Sequence, residues 1–266
     1  MNHVCSGDAE IAYEVLGDGP PVVLLHPFPV DHHFWSPPLL SMLGRYQVIL
    51  PDLRGHGDSD IGEGPATMEE HASDLARVMD DLQLGRAALA GVSIGGYSLF
   101  EFWRRFRGRA AALVLMDTKA TADTPEARNT RMQTAADVLE RGTETFIDGM
   151  LTKVIGETTR RTRPDLVETA RKMMLRMSPE DISQVQRGMA ARPDSVATLE
   201  TINVPTLIVA GDEDTLTPVA DAEVIRQNIS GSQLKVIPKA GHYAAFEQPE
   251  EAGKVLRQFL DSVHGG

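Results

Sequence analysis

The sequence predicts an α/β fold with a mostly parallel sheet and helices on both faces. Three observations carry this. Short apolar runs alternate with amphipathic stretches, the pattern of strands buried on both faces and joined by helices. One such run, Ala87-Ala88-Leu89-Ala90, leads into Gly91-Val92-Ser93-Ile94-Gly95-Gly96, and a helical pattern then begins. From about Thr121 to Leu199 no strand-like run occurs, and helical stripes take over.

In chain order, Glu10 to Leu16 alternates apolar and polar residues and reads as an antiparallel edge strand. Gly17-Asp18-Gly19-Pro20 is a turn. Pro21 to Leu25 is continuously apolar and ends in His26-Pro27-Phe28-Pro29. Pro38 to Leu43 is a short helix, and Gln47 to Leu50 a second buried strand. The loop from Asp52 to Ser59 holds glycines and charges but no Gly-Lys-Ser/Thr, so it is not a phosphate loop. It reads as a sharp turn pinned by an Asp–Arg pair, with His56 structural. Thr67 to Leu84 is an amphipathic helix stopped by Gly85.

After the Ser93 turn, Leu99, Phe102, Trp103 and Phe106 recur at helix spacing. Ala111 to Met116 is a further buried strand ending at Asp117. In the helical stretch, Phe146, Ile147, Met150, Leu151 and Val154 form one stripe. Leu166, Val167, Ala170, Met173, Met174 and Met177 form another. A third helix starts at Ser178-Pro179, with serine as cap and proline at the first position. The methionines of the whole helical stretch, Met132 among them, are read mostly as core. Strands resume at Thr206 to Ala210 and Leu234 to Ile237. Helices follow at Pro218 to Ile229 and Pro249 to Val263.

The 266 residues suffice for one large domain with an insertion. A net charge of −12 argues against a nucleic-acid partner and against an anionic membrane surface. Cys5 is the single cysteine, which excludes an intrachain disulfide and a cysteine-rich zinc site. No metal site is read. The first residues lack a basic region followed by an apolar run, and no apolar stretch reaches transmembrane length. A cytoplasmic protein is the expectation.

Strand, sharp turn and helix around Gly-x-Ser-x-Gly is the context of a nucleophile elbow. A serine at such a tip has a strained backbone, with side chains two residues away excluded, so Gly91 and Gly95 are required. In parallel sheets, ligands bind beyond the carboxyl ends of the strands. Ser93, Asp117, Asp214 and His242 all follow strands, so they are expected at one edge. A serine hydroxyl needs a base, imidazole suits the task, and a carboxylate must fix the imidazole. His242, on a Gly-preceded loop after the last strand, is the base. The chain order Ser93, Asp214, His242 fits an elbow hydrolase; Asp117 is the rival acid.

Five segments then carry a resemblance: the Ser93 elbow, His26-Pro27-Phe28-Pro29, Asp52-Leu53-Arg54-Gly55-His56-Gly57, Gly211-Asp212-Glu213-Asp214, and Ala240-Gly241-His242. Together they resemble α/β-hydrolases of the esterase and lactonase type, including the 3-oxoadipate enol-lactonase-like group. The resemblance implies an eight-stranded α/β-hydrolase sheet, with a core at 1–120 and 200–266 and a helical cap at 121–199. It places the acid on Asp214 and the oxyanion donors on the N–H groups of Phe28 and Ile94. Pro27 stands where the family has glycine, but the donor is the following residue, so the donor survives. His26 is expected to be structural, and His32 and His33 to lie on the surface.

The expected activity is cofactor-free hydrolysis of a small carboxylic ester. Hydrolysis of a lactone or of a C–C bond by the same triad is the alternative within enzymes. A ligand receptor on a hydrolase shell is the alternative outside them. Phe28, Trp35, Met150 and Met173 are the expected pocket residues. Substrate identity and oligomeric state are not legible.

Overall fold

A computed structural model describes residues 1–264. Eight strands form one sheet: β1 (Asn2–Ser6), β2 (Ala9–Leu16), β3 (Pro21–Leu25), β4 (Gln47–Pro51), β5 (Ala87–Val92), β6 (Ala110–Met116), β7 (Thr206–Gly211) and β8 (Gln233–Ile237). Their order is β1-β2-β4-β3-β5-β6-β7-β8. The first two strands pair antiparallel, as do β2 and β4; all later pairs are parallel. The Glu10–Leu16 strand is therefore antiparallel as expected but not at the edge. Asn2–Ser6, short and mostly polar, covers it, with only Val4 and Ser6 buried.

The apolar runs are buried on both faces because successive side chains point oppositely. Val23, Leu25, Leu89, Leu113, Leu115 and Ile208 enter one core layer. Val22, Leu24, Ala90, Val114, Met116 and Val209 enter the other. The first layer meets α2 (Met68–Asp81) and α3 (Ile94–Phe106); α1 (Pro37–Met42) lies against the second. Thr67 caps α2 in a reciprocal box with Glu70. Its end is turned by Gln83, at φ 54°, and not by Gly85. The Leu84 N–H closes back on Met79 O at 2.8 Å.

Between β6 and β7 the chain forms α4 (Pro125–Arg141), α5 (Glu144–Val154), α6 (Glu157–Thr162), α7 (Pro164–Met174), α8 (Pro179–Ala191) and α9 (Val196–Leu199). Ser178 caps α8 with Asp181 reciprocating. Met132 is 44% exposed, against expectation, because α4 buries only Ala135 and Val138. At Gly188 of α8 a Cβ would stand 1.7 Å from the Ala66 carbonyl oxygen, so this helix backbone rests on the core loop. Helices α10 (Val219–Asn228), α11 (Ala244–Glu247) and α12 (Pro249–His264) complete the fold.

The Asp52–Ser59 turn is pinned by Asp–Arg pairing, with both carboxylates coming from outside the turn. Arg54 is buried between Asp74 (2.8 Å) and Asp8 (2.8 Å). Asp52 adds a second tie, accepting from His32 Nδ1 (2.8 Å) and from the Asp58 N–H. His32 is thus buried, while His33 is exposed.

Candidate active site

Parallel register aligns the strand ends. Leu25 pairs with Gly91, Val92 with Met116, and Gly211 with Ile237. The loops that follow begin as extensions of the ladder: Ser93 N–H donates to Met116 O, Asp117 N–H to Val209 O, and Asp212 N–H to Ile237 O, all within 3.1 Å. Ser93, Asp117, Asp214 and His242 therefore meet at one edge of the sheet.

Ser93 sits at φ 53°, ψ −111°, at the N-terminus of α3. Only a crowded frame holds a non-glycine residue in that region. A Cβ on Gly91 would lie 2.4 Å from the Gly95 carbonyl carbon, and one on Gly95 would lie 2.7 Å from Leu25 O. The two glycines thus permit the close approach that the sharp turn requires. Thr118 Oγ1, in the loop after β6, donates to Ser93 O at 2.9 Å and steadies the elbow.

His242 is 3% exposed, and its Nδ1 lies 2.8 Å from Asp214 Oδ2. An ionised carboxylate only accepts, so Nδ1 carries the proton and Nε2 keeps a lone pair. Asp214 also accepts from the N–H groups of Leu216 (2.8 Å) and Thr217 (3.1 Å) and from Thr217 Oγ1 (2.6 Å). Burial would raise the Asp214 carboxyl, but the charge and hydrogen bond of His242 and the Thr217 donors outweigh it. The group is held below the ordinary carboxylate value.

Asp117 makes no such contact. It is buried at φ 42°, its Oδ1 accepts the Gly211 N–H at 2.8 Å, and its Oδ2 has no partner among the described residues. Burial and then the nearby Asp214 charge push its carboxyl well above the ordinary value, which favours the neutral form. It ties the end of β6 to the end of β7.

The strand-end loop after β3 is held from both sides. His26 Nε2 accepts the Leu53 N–H at 2.9 Å, so its Nδ1 is the donor to Pro27 O at 2.9 Å. A trans peptide sets its N–H opposite its carbonyl. Fixing the Pro27 oxygen therefore directs the Phe28 N–H. Tyr243 donates to the next carbonyl, Phe28 O, at 2.9 Å. The N–H groups of Phe28 and Ile94 have no partner among the described residues.

Ser93, His242, Phe28 and Thr217 line one cavity of about 560 Å³, closed by residues of α4, α5 and α8. A family model described as "alpha/beta hydrolase fold" matches residues 20–249. The chain belongs to the alpha/beta hydrolase fold family. It is 26% identical over 246 residues to 3-oxoadipate enol-lactonase 1 of Acinetobacter baylyi, covering 92% of this chain and 90% of that protein. A thermophilic esterase from Thermogutta terrifontis, solved with malate bound, is 38% identical. It superposes with a TM-score of 0.95 over 99% of this chain and all of that one. The enol-lactonase of Burkholderia xenovorans LB400, 24% identical, shares the fold at a TM-score of 0.90, over 97% of this chain and 99% of that one.

In this hydrolase, two of the four expected pocket residues, Phe28 and Met150, line the cavity. Trp35 and Met173 do not. Trp35 is buried edge-on to Phe34, and Met173 is buried with Ala170 and Met174 on α7, which packs against α5 and α6. Trp103 is likewise core, donating to Thr201 Oγ1 at 2.9 Å. His56 is buried against the Phe28 ring, and burial chiefly pushes its pKa down to about 3.

Four supporting residues escaped the sequence reading. Thr118, Thr217 and Tyr243 hold the elbow, the acid and the Phe28 loop. Glu247 is buried and accepts the N–H of Gly241 (2.9 Å) and of Gly156 (3.0 Å), which links the histidine loop to the start of α6. An acid within Ala244-Ala245-Phe246-Glu247 was the available signal.

Proposed function

We propose that this hydrolase cleaves carboxylic esters through an acyl-enzyme on Ser93. The observation that carries the reading is the shared cavity: a serine on a strained elbow and a histidine already oriented by a buried carboxylate line the same chamber. His242 removes the Ser93 proton as Oγ attacks the carbonyl carbon. The Phe28 and Ile94 N–H groups receive the negative oxygen. His242 then protonates the departing alcohol, and the acyl group stays on Ser93. Water, deprotonated by His242, releases the acid and restores the serine. Asp214 remains ionised throughout.

Residues 121–199 act as the cap that selects the substrate in this reading, over a core made of 1–120 and 200–266. Lactone hydrolysis uses the same steps with the alcohol still tethered. The likeness to a protein named 3-oxoadipate enol-lactonase keeps it as the second reading.

Short-chain p-nitrophenyl esters test the proposal. Multiple turnovers are expected, and Ser93→Ala should lower kcat by about a million-fold, as in other triad enzymes. An undiminished rate in Ser93→Ala overturns the mechanism. Slow single-turnover labelling of Ser93 supports a receptor instead.

A further inference from the structure

Helix α4 turns a polar stripe into the cavity. Ala127, Thr130, Arg131 and Thr134 recur at helix spacing, and all four line the chamber. A helix that closes an interior space ordinarily turns an apolar stripe inward. Phe28, Phe146, Met150 and Leu216 supply apolar lining. The cavity therefore combines apolar side chains with charged ones.

The charged lining carries an excess of one sign. Lys119, Arg131 and, from α5, Lys153 line the cavity against a single lining carboxylate, Asp123. That carboxylate is already matched from behind. Arg192, 3% exposed on its side chain, donates to Asp123 Oδ1 at 2.7 Å. Arg131 Nε donates to Asp123 Oδ2 at 2.6 Å and its Nη1 to Gln186 Oε1 at 3.1 Å. Its Nη2 has no hydrogen-bond partner among the described residues, and Lys153 has no ion pair among them. Burial would raise Asp123, but Arg131, Arg192 and Lys119 outweigh it and keep the group ionised. The whole chain carries −12, so a local positive excess inside its cavity is contrary to the average. Charges of one sign in a cleft with low-dielectric walls concentrate ligands of the other sign.

We propose that the cavity selects an ester or lactone that bears a second, ionised carboxylate. Arg131 receives this group, and Lys119 and Lys153 add to the field. The apolar lining packs the short chain between the carboxylate and the scissile carbonyl. A planar guanidinium with a free edge suits a carboxylate better than an ammonium does. The inference deepens the ester-hydrolase reading and rests on it.

Methyl valerate and monomethyl glutarate form the test pair, since they differ at one terminal group, methyl against carboxylate. Methanol release gives kcat/KM for each. Monomethyl glutarate is expected to be preferred by about tenfold or more at low salt, with the preference shrinking as salt screens the field. Arg131→Gln should lower the ratio of the two constants about tenfold. Lys153→Gln should lower it less, and it tests the idea even if Arg131→Gln fails to fold, because Lys153 is exposed. No preference in the wild type, or a ratio that neither substitution moves, overturns the proposal.

Calorimetric binding of glutarate to Ser93→Ala separates the two readings. Glutarate binding that disappears in Ser93→Ala/Arg131→Gln, with no ester turned over by the wild type, upholds the acid site and removes the ester reading. Esters turned over without preference, with no glutarate binding, do the reverse.

Discussion

His26 holds the carbonyl oxygen of Pro27 at 2.9 Å and thereby sets the direction of the Phe28 N–H. Tyr243 holds the other carbonyl of the same residue pair, Phe28 O, also at 2.9 Å. The Phe28 N–H is thus fixed by its neighbours on both sides. Tyr243→Phe removes one tether and keeps the ring packing. Its kcat should fall about tenfold with KM nearly unchanged, less than the hundredfold or more lost when an oxyanion donor itself is removed. Steady-state kinetics on p-nitrophenyl butyrate measure this. An equal rise in KM with kcat intact assigns Tyr243 to substrate binding.

The two candidate acids differ in what they touch. Asp214 is hydrogen-bonded to His242, and Asp117 to the backbone of β7. Asp214→Asn should lower kcat by about 10⁴, the cost of losing the carboxylate that sets the tautomer. Asp117→Asn should keep a rate close to the wild type, since an amide oxygen accepts the Gly211 N–H as well. Single-turnover acylation rates compare the two directly; the reverse ranking moves the acid to Asp117.

Glu247 joins two glycine N–H groups, one beside His242 and one at the base of α6. Glu247→Gln replaces one acceptor with a donor that faces an N–H. A loss of about 1–3 kcal/mol in stability is expected from the unpaired groups, together with a reduced kcat. Urea unfolding and ester turnover on the same preparation test both.

Much of the site was legible because position along the sheet is a sequence property. Ser93, Asp214 and His242 each follow an apolar run, and parallel pairing brings such ends together. The third dimension was less legible. Trp35 and Met173 have the chemistry of pocket residues, but which side of a helix or loop meets the cavity depends on packing between distant segments. The identity of the Arg54 partner was not legible for the same reason: Asp74 is on α2, twenty residues away. The strand Asn2–Ser6 carries few apolar residues, so its sequence shows little core signal; pairing with β2, burial of Val4 and hydrogen bonds from Arg54 to Ser6 O and Arg77 to Cys5 O hold it. Gln83 ends α2 at a positive φ that glycine would more usually adopt.

His71 is buried on α2, and neither ring nitrogen has a partner among the described residues. Burial, then His56 and Arg54, lower its pKa well below the ordinary 6.5. Below about pH 6.5 the unfolded chain therefore binds a proton that the folded one refuses. Stability must fall as pH drops through that window and be recovered above it. His71→Leu removes the refusal. It should raise stability at pH 7 by about 1 kcal/mol and flatten the dependence between pH 6.5 and the lowered value. Urea midpoints across that range are the measurement; an unchanged slope counts against the assignment.

Gly188→Ala places a methyl against the Ala66 carbonyl oxygen, where 1.7 Å is available. Helix α8 must then lift from the core loop. A loss of about 2 kcal/mol is expected for such overpacking, read as a lower Tm.

That same contact divides the chamber into a fixed and an exchangeable half. Backbone rests on backbone at Gly188, and the Ala66 N–H donates to Gln184 O at 3.2 Å, so α8 brings Gln186 and Met189 to the cavity from an anchored frame. Helix α5 reaches the chamber through Phe146, Gly149 and Met150, and its backbone anchor lies beyond them at its C-terminal end, where the Val154 carbonyl accepts the Tyr243 N–H at 3.1 Å. Laboratory evolution toward larger guests should therefore accumulate its changes on α5 and leave α8 as the jig against which each new shape is fitted.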